Sequence, residues 1–157
     1  MNVYLDPVTI ENKDTLFRLL QYSLFEESET DQNDMNENAI FEYRWFENYF
    51  TDKDRFAFFA KERNTNKILG FVMINSYVQN ISFGHSIAEF LVIPKYRRNG
   101  IGTKIAEMCF EMFQGYWEVK PSFGSKKAYS FCEKVISNYT RGNYEYKNNI
   151  FVFKTND

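Results

Sequence analysis

The sequence predicts an α/β (α+β) chain built on one mixed sheet of about seven strands, with elements in the order βααβββαβαββ, and three observations predict it. Segments 55–63, 67–78 and 83–93 are rich in aromatic and β-branched residues, and a short Asn64-Thr65-Asn66 turn joins the first two, which is the pattern of an antiparallel meander. The third segment ends in Val92-Ile93-Pro94 and runs into a basic turn with two glycines and then an amphipathic helix. A short strand, another helix and two closing strands follow, so strand and helix alternate after the meander.

Taken in order, a strand near 2–9 leads to a helix over 12–27 whose inner face is Leu16, Leu19, Leu20 and Leu24. A second helix is expected over 37–50, with Ile40, Tyr43, Phe46 and Phe50 inward. After the meander, Ile101, Ile105, Met108, Cys109 and Met112 recur at helical spacing and predict one buried stripe. A strand at 116–120 precedes a helix over 125–138 with Ala128, Phe131, Cys132, Val135 and Ile136 inward, and strands near 143–147 and 149–154 close the chain. Nothing repeats and no linker interrupts the pattern, so residues 1–157 are expected to form a single domain.

Composition narrows the function classes. A chain of 157 residues buries about two thirds of its unfolded surface in one core, and 19% aromatic content fills that core with Phe and Tyr. A net charge of -2 argues against a nucleic-acid partner, which calls for a broad basic face. No apolar run approaches a membrane span, and Met1-Asn2-Val3-Tyr4 does not begin a secretory signal, so a cytoplasmic protein without a membrane partner is expected. Cys109 and Cys132 sit on helical apolar stripes, and two cysteines with one histidine make neither a disulfide framework nor a metal site. A monomer or a homodimer is expected.

The basic turn has the makings of a pyrophosphate site. Residues without side chains at Gly100 and Gly102 let a phosphate approach the backbone, and the first N–H groups of the following helix point outward at the positive end of its dipole. Lys95, Arg97, Arg98 and Lys104 add cationic charge. A dinucleotide fingerprint would need a third glycine and a distal acid, and a Walker loop would need Gly-Lys-Ser/Thr; neither is present. The run instead resembles the acyl-CoA signature of the GNAT acetyltransferases, Arg/Gln-x-x-Gly-x-Gly/Ala after a strand ending Val-x-Pro, matched here by Arg97, Gly100 and Gly102. The resemblance implies acetyl-CoA as acyl donor, a parallel strand pair that splays to admit its pantetheine, and a pyrophosphate held by the backbone of Arg98, Asn99, Gly100, Ile101, Gly102 and Thr103. It further implies pantetheine pairing along Leu91 and Val92, with the N–H of Val92 stabilising the oxyanion of a direct transfer.

Three residues are candidates for acid–base work. Glu89 interrupts the apolar run Ala88-Glu89-Phe90-Leu91-Val92, where a carboxylate needs a partner or a task, and GNAT enzymes similarly place an acid on this strand. Its alternative role is a structural, hydrogen-bonded glutamate. His85 lies four residues earlier and is a candidate proton relay or a structural residue. In the last helix the family pattern Asn-x-x-Ala-x-x-Phe-Tyr meets Ser125, Ala128, Phe131 and Cys132, so Ser125 stands where a cofactor contact would be and Cys132 where a tyrosine acid would be. Cys132 is therefore a candidate acid toward the CoA thiolate, or a packing residue.

Between residues 26 and 42 lie Glu26, Glu27, Glu29, Asp31, Asp34, Glu37 and Glu42 without a Lys or Arg, an acidic rim that would concentrate a cationic amine acceptor. The resemblance then implies an N-acetyltransferase acting on a primary amine of a small molecule, peptide or protein. The departure at Cys132 keeps open a noncatalytic acyl-CoA-binding regulator acting through a protein partner.

Overall fold

The computed structural model describes residues 1–155. Its centre is a seven-stranded sheet in the order β1-β2-β3-β4-β5-β7-β6, formed by β1 (Val3–Pro7), β2 (Arg55–Glu62), β3 (Ile68–Asn75), β4 (His85–Val92), β5 (Tyr116–Val119), β6 (Glu145–Lys147) and β7 (Ile150–Lys154). Every neighbouring pair is antiparallel except β4 and β5. That pair arises because α2 (Ile101–Met112) carries the chain across one face between them, as a parallel connection requires. One face is covered by α2 and α3 (Lys126–Thr140), whose Ile105, Cys109, Phe110, Val135 and Ile136 meet Val72, Ile74, Trp117 and Phe151. The other is covered by α1 (Lys13–Asp31) and the segment 39–50, with Leu16, Leu20, Phe46 and Tyr49 against Phe59, Phe71 and Met73.

The parallel pair is short. His85, Ser86 and Ile87 pair with Trp117, Glu118 and Val119, and beyond Ile87 the strands part. Two features make the divergence. A register shift between Met73 and Ile74 gives β4 an extra residue at Ala88, so that Ala88 and Glu89 both fall on the α1 side. On the other edge β5 ends at Val119, and Pro121 two residues later has no N–H to extend a ladder. Six of the eight residues of β4 are consequently only half-buried, although it is the middle strand and six consecutive residues of its neighbour β3 are buried.

The expected second helix over 37–50 does not form; the segment is a series of turns ending in one 3-10 turn, Glu47–Phe50. Side chains outcompete the helical backbone here. The Asn36 carboxamide oxygen accepts the N–H groups of Asn38 and Ile40, Ala39 is left-handed at φ 59°, and Gln21 of α1 holds both the N–H and the carbonyl of Phe41, each at 2.8 Å. Helix α1 correspondingly runs one turn further than expected, to Asp31, and closes on a left-handed Gln32. In α2 the buried stripe is Ile101, Ile105, Ala106, Cys109 and Phe110, while Met112 is exposed. In α3 only Val135 and Ile136 of the predicted inner face are buried; Phe131, nearer the open end of the strand pair, is 37% exposed. The β3–β4 connection is fixed by Glu118, whose buried carboxylate accepts the N–H groups of Gln79, Asn80 and Ile81.

Candidate active site

The gap between β4 and β5 leaves backbone groups without a strand partner. The N–H of Ile93 donates to the carbonyl of Leu69 at 2.8 Å, which turns alternate residues of β4 toward β3 and their neighbours away from it. Val92 is on the open side, and its carbonyl there accepts Nε of Arg97 at 2.7 Å. Leu91 is not: its backbone belongs to the ladder opposite Phe71, so of the two residues expected to pair with a pantetheine only Val92 presents its N–H to the gap. Phe131 of α3 lies over this edge, 5.7 Å from the ring of Phe90. A side chain at Gly102 would come within 3.0 Å of the Phe131 ring, so the bare helix turn is what lets the two helices flank the groove at this distance.

The glycine turn sits at the head of the same groove. Pro94–Tyr96 forms a 3-10 turn, Arg98 is left-handed at φ 67°, and Gly100 caps α2 at φ 76° with open space where a side chain would stand. The N–H of Lys104 reaches back to the carbonyl of Gly100, which leaves the N–H groups of Ile101, Gly102 and Thr103 at the helix mouth. Lys95, Arg98, Asn99 and Lys104 are exposed around it. Arg97 is placed differently from the other cations: beyond its bond to Val92, its guanidinium fork grips the Glu26 carboxylate of α1 at 3.2 and 2.9 Å. Ser125 serves as the N-cap of α3, its hydroxyl accepting the N–H of Ala128 at 3.1 Å.

Glu89 leaves the opposite face of β4 as a half-buried side chain. Its Oε1 is buried without a hydrogen-bond partner. Burial first, and then the neighbouring Glu27 carboxyl, hold it well above the usual carboxylate range; Tyr43 faces it and pulls the other way. Glu27, beside the buried Ser23, is itself raised by burial. Burial and the Glu89 charge push the Tyr43 phenol up, so it stays a hydroxyl donor. A carboxyl raised by burial and by a second carboxyl is a group able to take up and hold a proton above the ordinary carboxylate range.

The structure does not bring His85 or Cys132 to this carboxyl. His85 stacks on Phe113 at 4.6 Å and Trp117 at 5.6 Å on the α2 face, whereas the extra residue at Ala88 turns Glu89 to the α1 face. Burial lowers the imidazole, partly opposed by Asp54. Cys132 is half-buried on the α3 side, and burial pushes its thiol up to about 11. Tyr129, its neighbour on the helix, donates instead to Glu133 at 3.1 Å. The acidic rim also separates into parts. Glu26 holds Arg97, Glu27 faces Glu89, and Asp34 and Glu42 line a cavity of about 300 Å³ with Leu24, Met35 and Phe41.

Glu27 and Tyr43 are the neighbours of Glu89 that the sequence reading missed. The signal for Glu27 was present, since it continues the Leu16, Leu20 and Leu24 face within the expected helix over 12–27, but in the run of acids from 26 to 42 it reads as part of a charged rim.

A sequence model of the acetyltransferase (GNAT) family matches residues 18–134. Among solved structures the chain is similar to an acetyltransferase from Thermus thermophilus, at 16% identity and a TM-score of 0.69, over 98% of this chain and 97% of that one. It is also similar to an aminoglycoside acetyltransferase from an uncultured soil metagenomic sample, solved with sisomicin, at 16% identity and a TM-score of 0.61 over 85% and 86%. Arabidopsis thaliana NAA60, solved with a bisubstrate analogue, aligns over 99% of both chains at 13% identity and a TM-score of 0.58. No curated protein sequence matches the chain.

Proposed function

Because this chain belongs to the acetyltransferase (GNAT) family, we propose that it moves an acetyl group from acetyl-CoA directly onto a primary amine that arrives as a cation. The observation that carries the reading is the open edge of β4, where the Val92 N–H faces a gap lying between the glycine turn and Glu89. The backbone at 98–103 would hold the pyrophosphate, with Lys95, Arg98 and Lys104 around it, and Ser125 would order the start of α3 beside it. Acetyl-CoA supplies the thioester-activated acetyl group. The Val92 N–H, which faces away from β3, would donate to the carbonyl oxygen as it gains negative charge. Glu89 takes the proton that the amine must lose before its lone pair can attack. Cytoplasmic placement, a single domain and a monomer or homodimer belong to the same reading; Cys109 and Cys132 are free, and among the described residues no helix is long and apolar enough to cross a membrane.

The test is CoA release from acetyl-CoA across a panel of primary amines, with thermal unfolding measured in parallel. Acetyl-CoA at a hundredfold excess over its dissociation constant should stabilise the protein by about 2.7 kcal/mol, and release should depend on amine. Gly100→Asp, which puts a carboxylate at the helix mouth, should abolish both while remaining folded. Full stabilisation of folded Gly100→Asp by acetyl-CoA would overturn the cofactor site. Stabilisation without release by any amine would favour the regulator that the cysteine at 132 keeps open.

A further inference from the structure

Glu89 lies beside a second carboxyl from a different element. Glu27 reaches it from α1, Tyr43 reaches it from the 39–50 segment, and its buried Oε1 has no hydrogen-bond partner. The charged and titratable groups around the pair are Asp31 and Glu26 on α1 and Tyr43 and Tyr49 on the turn segment. The nearby cations are engaged elsewhere: Arg97 is on Glu26, and Arg55 lies against Trp45, Tyr49 and Tyr77 beside Asp52. Ionising both of two adjoining, partly buried carboxyls is unfavourable, and a cation between them removes the repulsion.

We propose that Glu27 and Glu89 together form the binding site for the acceptor's ammonium group, sharing one proton when empty and releasing it as the cation enters. This rests on the acetyl-transfer reading only for the identity of the cation as the acceptor. The protons balance. Entry of the ammonium expels the shared proton to solvent and leaves two carboxylates around one cation. An N–H bond of the ammonium then breaks as an O–H bond forms on Glu89, which frees the nitrogen lone pair and restores the singly protonated pair. The second amine proton leaves with the thiolate as the thiol, so ammonium and thioester become amide, thiol and the one proton already released. Glu27 is thereby a positioning residue that sets the basicity of Glu89 and the charge of the acceptor.

The proposal is tested on the protein without acetyl-CoA, by calorimetric titration with n-butylammonium in two buffers of different ionisation enthalpy. About one proton should be released per cation bound at a pH above the ordinary carboxylate range and below the value at which Glu89 titrates in the free protein. Glu27→Gln should lower the release measurably below that of the wild type, because it removes the neighbouring carboxyl while the burial of Glu89 remains, and should weaken binding about tenfold or more, with Glu27→Asp restoring part of both. In a carboxyl 13C NMR titration, Glu89 should titrate above the ordinary range in the wild type and about one unit or more lower in Glu27→Gln. In turnover with whichever amine is active, the acid limb of kcat/KM should move to lower pH by the same amount. Absence of butylammonium binding, equal proton release by Glu27→Gln, or an unmoved Glu89 titration would each overturn the pair. These arms need no acetyl transfer, so a wild-type protein that binds with proton release but acetylates nothing would refute the reading above and leave the pair standing.

Discussion

At Cys132 the packing of α3 sets the acidity of the thiol as well as its position. Burial pushes it up to about 11, so a proton passed from it to a CoA thiolate of ordinary thiol basicity would climb by about two units. Burial that suits a packing cysteine therefore disfavours an acid. Cys132→Ser keeps the size of the side chain, and kcat measured at saturating amine and acetyl-CoA should be nearly unchanged. A loss of about 10²-fold, the smallest usual contribution of a general acid, would restore the cysteine to the chemistry. Glu89 obeys the same physics with the opposite consequence, because burial and Glu27 raise a carboxyl toward neutral pH, where a base is useful.

Among the elements, the segment 39–50 covers the α1 face without being a helix, and Gln21 is its main attachment. The carboxamide pairs with both backbone groups of Phe41 at 2.8 Å, and the aromatic edges of Phe17, Phe46 and Phe50 stack behind it at 5.0 and 5.5 Å. Gln21→Ala leaves both partly buried groups of Phe41 without a partner and should destabilise the fold by about 1–3 kcal/mol in urea unfolding. A change below about 0.5 kcal/mol would mean that water replaces the side chain there, and that the aromatic contacts alone hold the segment. Because Tyr43 lies on this segment, the variant should also weaken amine binding more than acetyl-CoA binding.

For the whole molecule, the raised carboxyl links stability to pH. The folded protein holds the Glu89 proton at pH values where the unfolded chain has lost it, so this residue's contribution falls as pH rises from the ordinary carboxylate range through the folded-state value, and is then constant. His85, lowered by burial, works in the opposite direction, so the wild-type curve alone does not isolate the carboxyl. The difference does. Glu89→Gln should gain stability over the wild type progressively from about pH 4.5 upward, reaching a plateau once the pH has passed the folded-state value, as followed by Tm at each pH. A difference that stays flat with pH would place Glu89 in contact with solvent in the folded state.

The sequence by itself determined the strand meander, the glycine turn, the helix that follows it and the strand that carries Glu89. Each of these is a local matter, fixed by side-chain alternation, by glycine's freedom at Gly100 and by the helical spacing of Ile101, Ile105 and Cys109. Family resemblance through Arg97, Gly100 and Gly102 was legible for the same reason, since the signature lies within one short run of chain. What only the tertiary structure decided is which groups meet. The extra residue at Ala88 turns Glu89 away from His85, the packing of α1 on that face of β4 brings Glu27 to it, and the side chains of Asn36 and Gln21 override the helical period of 37–50. Register, helix length and side-chain capture all depend on contacts between residues distant along the chain, and no local pattern in the sequence encodes them.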